Sequence, residues 1–181
     1  MERAIRVRVS KLLSLVLRHR PEKAGIVFDG GGWASIQEIV DAAERHRPRL
    51  TREMILEIVA ADEKGRFALS PDGKRIRATQ GHSIPVDLGL FPLEPPQHLY
   101  HGTSRDAVES ILSKGIDSRG RQYVHLSLDP ETAVRVGQRH GPPVVLEVDA
   151  GGMHRDGLEF FRAQNGVWLT TGVPSRYVRV L

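Results

Sequence analysis

Three prolines within seven residues, in the stretch FPLEPPQ at 91–97, divide this chain more sharply than any other feature of its sequence. Proline lacks the backbone N–H and locks φ, so the stretch cannot continue a helix or a central strand. It predicts a linker, with a first lobe over 1–90 and a second over 98–181. Each half is long enough for a small core of its own. Charge respects nearly the same boundary: residues 1–90 carry 16 Lys and Arg against 12 Asp and Glu, and 91–181 carry 10 against 10, so the whole net charge of +4 lies in the first half. Of the 26 basic residues 21 are Arg, whose planar fork suits bidentate phosphate recognition better than an ammonium does.

No apolar run approaches the roughly 18–20 residues needed to span a bilayer. The N-terminal segment lacks a small-residue cleavage site, so no membrane partner and a cytoplasmic address are expected. The chain has no cysteine, which removes disulfides and thiolate chemistry. Its eight histidines show no paired spacing of the HExxH kind, and no metal is expected. Nothing points to an obligate protein partner.

In the first lobe Val9, Leu12, Leu13, Val16 and Leu17 recur at helical spacing, predicting a helix that stops near His19 because Pro21 disfavours helical geometry at Arg20. Ser35 is a plausible N-cap for a second helix carrying Ile36, Ile39, Val40 and Ala43. Thr51 with Met54, Ile55, Ile58 and Val59 predicts a third. GRFALSPDGKRIRAT then alternates apolar and polar residues about SPDG, a β-hairpin signal. Three helices followed by a basic hairpin is the order of a winged-helix module. The second lobe offers strands in HLYHG, YVHLSL, PVVLEVDA, EFFRA, VWLTT and RYVRVL, and helices in SRDAVESILSKG and DPETAVRVGQRHG. Asn165-Gly166 predicts a type I′ hairpin between EFFRA and VWLTT. Helices set among antiparallel strands make the expected class α+β.

The string Arg-His-Arg-Pro occurs twice, in LRHRPEK at 17–23 and ERHRPRL at 44–50. Both end predicted helices, where the dipole favours basic residues. Arg18 and His19 follow the apolar LSLVL, a rigid support, whereas Arg45 and His46 follow Asp41 and Glu44, which can satisfy them locally; the first copy is the better candidate for function. GGGW at 30–33 matches no nucleotide-binding loop and reads as a turn. Arg66, Arg75 and Arg77 place charge on the hairpin, suited either to phosphate-backbone contacts or to a solvated edge that discourages aggregation. YHGT at 100–103 sets His101 at a strand end before a helix, and VHLS at 124–127 repeats a histidine in a strand.

LSLVLRHRP, GRF, RIRATQGHSI, YHGT, ILSKGI, YVHLSLD and NGVWLT stand in the order and rough spacing of the RNA 2′-phosphotransferases, and over nearly its whole length the chain resembles that family. The resemblance implies a winged-helix-like RNA-binding lobe followed by an ADP-ribosyltransferase-like mixed α/β lobe that binds NAD. It implies that NAD, used as a co-substrate, takes the 2′-phosphate left in tRNA by splicing. The route runs through an ADP-ribosylated RNA 2′-phosphate, with release of nicotinamide and ADP-ribose 1″,2″-cyclic phosphate. It implies a catalytic tetrad of Arg18 and His19 in LRH, Arg66 in GRF and Arg121 in RQYVHLS. His101, Gly102 and Thr103 in YHGT, with Ser127 in VHLS, fall where cofactor-binding strands belong, and Arg77 and His82 belong to the RNA side. Two positions depart from the family's pattern. Tyr123 stands where relatives often have histidine, and Arg119 stands close to Arg121 where they tend to be apolar. Val167 occupies the neighbourhood in which many ADP-ribosyltransferases carry a glutamate. A phosphate monoester is largely a dianion at pH 7 and needs positioning more than a general base. Two alternatives share these features: a winged-helix nucleic-acid-binding protein without turnover, and an ADP-ribosyltransferase acting on nucleic-acid phosphate ends.

Overall fold

Burial of Val9, Leu13, Val16 and Leu17 puts one side of a helix into a core, and in the computed structural model that helix, α1, runs Arg3–Arg18. The structure describes residues 2–44 and 50–181. The second Arg-His-Arg-Pro copy, Arg45 and His46 included, lies outside the described residues. Leu12, expected on the buried side, is 41% exposed, because it lies about 40° beyond Val16, which borders the stripe that the core accepts. The helix ends as proline requires. His19 caps it with its N–H on the Leu15 carbonyl, and Arg20 leaves helical geometry at φ −140°, ψ 56°.

The contacts divide the chain into two compact units, Met1–Gly89 and Leu90–Leu181. In the first, α1 is followed by β1 (Ala34–Ser35), α2 (Ile36–Glu44), α3 (Arg52–Ala60), β2 (Phe67–Leu69) and β3 (Arg75–Ala78). Ser35 Oγ accepts from the Glu38 N–H and Thr51 Oγ1 from the Met54 N–H, so both helices begin at the caps their sequences supply. The strands form an antiparallel sheet in the order β1-β3-β2, with Ala34 opposite Ile76 and Phe67 opposite Ala78. Leu13, Leu17, Ile36, Ile55 and Ile76 are sealed in its core, each stabilising it by about 1.5–3 kcal/mol through burial.

The second unit holds β4 (His98–Ser104), α4 (Val108–Lys114), β5 (Val124–Leu126), α5 (Pro130–Gly137), β6 (Pro143–Asp149), α6 (Ala150–Arg155), β7 (Phe161–Arg162), β8 (Trp168–Thr170) and β9 (Val178–Val180). All six strand signals of the sequence become strands. They form two three-stranded antiparallel sheets, β4-β6-β9 and β5-β8-β7. Tyr100 and Ser127 bridge the two through paired backbone hydrogen bonds of 2.9 and 2.8 Å. The proline-rich stretch 91–97 is laid along this unit: the Leu93 N–H donates to the Phe160 carbonyl, and the Gln97 carbonyl accepts from Gly151. With helices beside small antiparallel sheets, the fold is mixed and α+β, as expected.

One turn differs from its expectation. Type I′ requires positive φ at both central residues, but of Asn165 and Gly166 only the glycine has it, at 85°. The Gly166 N–H donates to Ala163 and the Ala163 N–H to Val167. The loop therefore has three residues and closes on a left-handed glycine.

Candidate active site

Arg18 is the last residue of α1 and His19 its cap, so both side chains are anchored to a helix whose other side is core. The loop after β3 returns to them. The Ser83 N–H donates to the Arg18 carbonyl at 2.9 Å, and Ser83 Oγ lies 2.9 Å from His19 Nδ1, which fixes the ring. Gly81 packs against the Arg18 guanidinium; a Cβ there would sit 3.5 Å from Nη1, and the glycine's φ of 88° is one that side chains rarely adopt. At its other end the same loop is tied to Arg66, whose carbonyl accepts from the Thr79 N–H at 3.0 Å. Arg66 Nε donates to Asp62 Oδ1 at 2.8 Å; that carboxylate is 1% exposed while the arginine is 36% exposed. A buried carboxylate thus orients the guanidinium through Nε alone, leaving its terminal amino groups for an anion.

His82 lies inside this cluster, 2% exposed. Neither ring nitrogen has a hydrogen-bond partner among the described residues. Burial, reinforced by the nearby Arg18, His19 and Arg77, pushes its pKa down from 6.5 to about 4. At pH 7 it is neutral, so it adds no charge for a phosphate. Arg77, on β3, stacks over the Trp33 ring at 4.6 Å and reaches toward the Gly31 carbonyl. Arg75 is engaged elsewhere, by Asp29 at 3.0 Å.

In the second unit a cleft of about 470 Å³ is lined by His101, Gly102 and Thr103 of β4, by Lys114 at the end of α4, and by Arg119, Arg121, Tyr123 and His125. His101 Nδ1 lies 3.3 Å from the His125 carbonyl; a carbonyl only accepts, so the contact puts the proton on Nδ1. Gly102 has a packing reason of its own: a Cβ there would fall 1.7 Å from the Ala133 carbonyl oxygen of α5. Before Arg121 the chain takes two left-handed residues, Arg119 at φ 45° and Gly120 at 81°. Asp117 Oδ1 holds the Arg119 N–H at 2.9 Å. Tyr123 packs on Phe161 with ring centroids 5.6 Å apart.

The structure thus brings Arg18, His19 and His82 together in the first unit, ties Arg66 to the same loop, and sets Arg77 on Trp33. In the second it gathers His101, Gly102, Thr103 and Arg121 around one cleft. Ser127 is not among the cleft's lining residues and instead pairs with the Tyr100 backbone. Sequence reasoning gave no role to Ser83, Asp62, Trp33 and Lys114. Ser83, Trp33 and Lys114 lie inside the quoted strings RIRATQGHSI, GGGW and ILSKGI, and Asp62 stands four residues before Arg66 of GRF, so the motifs themselves were the available signal.

A family model described as RNA 2'-phosphotransferase, Tpt1 / KptA family, matches residues 4–172. A probable RNA 2′-phosphotransferase of Acaryochloris marina is 53% identical over 169 residues, covering 93% of each chain. One from Streptomyces coelicolor is 52% identical over 179 residues, 99% of this chain and 97% of the relative, and one from Agrobacterium fabrum 52% over 171 residues, covering 94% and 92%. Likeness of this extent makes the chain an enzyme of the transferase class. It belongs to the RNA 2′-phosphotransferase, Tpt1 / KptA family.

Proposed function

We propose that the chain removes an internal 2′-phosphate from RNA, such as one left at a tRNA splice junction, by transferring it to NAD. Nicotinamide and ADP-ribose 1″,2″-cyclic phosphate are the products, and the cytoplasm is the setting. The carrying observation is that a single family match runs through both units and includes every assigned catalytic residue. In this reading residues 1–90 form a winged-helix-like RNA lobe, supported by the order α1-β1-α2-α3-β2-β3 with β3 central. Residues 98–181 form an ADP-ribosyltransferase-like lobe, supported by its two small antiparallel sheets and flanking helices.

The cleft fits a dinucleotide: Lys114 offers charge for a pyrophosphate, Thr103 a hydroxyl for ribose, and Tyr123 a ring for stacking. Bound there, NAD supplies an electrophilic ribose carbon with a good leaving group. The chain's own residues do the rest. Arg18 and Arg66 hold the phosphate by charge-assisted hydrogen bonds of roughly 1.5–3 kcal/mol each, and Arg121 supplies the fourth place of the tetrad. A phosphate dianion needs no base to attack. The bond from phosphorus to the RNA 2′-oxygen breaks as one forms to the 2″-hydroxyl of the ADP-ribose, and His19, fixed by Ser83, carries that hydroxyl's proton to the departing 2′-oxygen.

Incubation with an internally 2′-phosphorylated RNA, with and without NAD, tests the reading. Loss of the phosphate with appearance of the cyclic phosphate, only when NAD is present, is the expected result. Binding without turnover, or RNA that stays ADP-ribosylated, refutes it.

A further inference from the structure

Helix α1 contains Arg3, Arg6, Arg8, Lys11 and Arg18 and no Asp or Glu. Arg3 and Arg6 stand at the positive end of the helix dipole, where anions are favoured and cations are not. Arg6 is partly offset by Glu57 at 3.6 Å. Arg3, Arg8 and Lys11 are exposed and have no ion-pair partner among the described residues. Such a helix is suited to an anionic partner supplied from outside.

The charges are also aligned. At about 100° per residue, Arg8, Leu12, Leu15 and the cap position 19 fall within about 60° of one another, with Lys11 at the edge of that strip. It borders the buried stripe of Val9, Leu13, Val16 and Leu17 on its exposed side, with Leu12 about 40° from Val16. Leu12 and Leu15 are 41% and 38% exposed between the cations and His19. Lys11 and Arg8 precede Arg18 by about 10 and 15 Å along the axis, at about 1.5 Å per residue. That is three to four nucleotides at a stacked rise of about 3.4 Å each, and fewer where a strand is extended.

We propose that this exposed strip of α1 is a track for the RNA strand flanking the 2′-phosphate, with Arg8 and Lys11 on backbone phosphates and Leu12 and Leu15 against ribose and base. The inference rests on the RNA-directed reading above and adds an extended substrate site to it. Charge decides the occupant. A second copy would set two helices of the same sign against each other, whereas RNA brings one negative charge per nucleotide. The track starts at the residues assigned to the phosphate, so one strand can engage both.

The test compares the wild-type enzyme with the double variant Arg8→Gln/Lys11→Gln on two NAD-dependent substrates, a 2′-phosphorylated dinucleotide and a 2′-phosphorylated RNA of twelve nucleotides. For the long RNA the variant should show KM raised roughly tenfold, with kcat unchanged and the slope of log kcat/KM against log salt reduced by about 1.4, two single-strand phosphate contacts. For the dinucleotide both constants should stay at wild-type values. Arg8→Lys/Lys11→Arg, which keeps the charges, should retain the wild-type slope. An unchanged KM and slope on the long RNA, with wild-type turnover intact, overturns the track. A variant that differs only by losing self-association, measured by sedimentation, overturns it in favour of a second copy. No turnover of either substrate by the wild type is instead the failure of the underlying reading.

Discussion

Replacing His82 with glutamine should flatten the acid side of the stability profile. The native pKa is about 4 against 6.5 for a free histidine. A folded-state pKa depressed in this way means that the unfolded chain takes up a proton as pH falls through 6.5, while the native state refuses it until about 4. The neutral ring's contribution is therefore complete above pH 6.5 and drains away between 6.5 and about 4. At about 1.36 kcal/mol per pH unit, that interval corresponds to about 3 kcal/mol, of which about 2 kcal/mol has gone by pH 5. Glutamine has similar reach and does not titrate. Urea unfolding of both proteins at pH 7.5 and pH 5 isolates the term, since carboxylates common to the two cancel in the difference. The wild type should lose about 2 kcal/mol more than His82→Gln over that range. Parallel losses, within about 0.5 kcal/mol, would refute the argument that this ring is buried neutral among cations.

Arg18→Ala and His19→Ala should abolish turnover of 2′-phosphorylated RNA, while Arg45→Ala and His46→Ala should leave it within about twofold; equal losses from both pairs would remove the distinction between the two Arg-His-Arg-Pro copies. Ser83→Ala should lower kcat roughly fivefold with little change in KM, the worth of about 1 kcal/mol for one positioning hydrogen bond, and Ser83→Thr should restore most of it. Gly102→Ala drives a methyl to 1.7 Å from the Ala133 carbonyl oxygen, and should cost about 3 kcal/mol or more, read as a lower denaturation midpoint; an unchanged midpoint would mean that β4 and α5 separate freely.

Helices were legible where the period was clear, as in α1 with Val9, Leu13, Val16 and Leu17, and where a cap joined it, as in α3 with Thr51. What escaped was structure made by distant contacts. β1 is two residues long and exists because Ala34 and Ser35 find β3. α6 reads AGGMHR, a poor helix former, yet Asp149 caps it through the Gly152 N–H at 2.8 Å. A Cβ on Gly152 would lie 2.3 Å from that same carboxylate, so the glycine that hid the helix is what its cap requires. The Asn165-Gly166 turn was located correctly and mistyped, since one left-handed glycine serves two hairpin forms. At the site, Arg18, His19 and Arg66 were visible through the family resemblance. Ser83 meets His19 across 64 residues, and Trp33 lies under Arg77 from a turn that had no local signal for it.

The loop from Thr79 to Ser83 is bonded at one end to Arg66 and at the other to Arg18. Four virtual bonds cannot span more than about 14 Å. Those five residues therefore act as a gauge: they set the largest separation the backbones of Arg66 and Arg18 can have, whatever the rest of the hairpin does. Length changes should be tolerated better at Pro71 and Asp72, the exposed tip of the hairpin. An extra residue between Thr79 and Ser83 would leave every arginine in place in the sequence and still unset the distance between two of them.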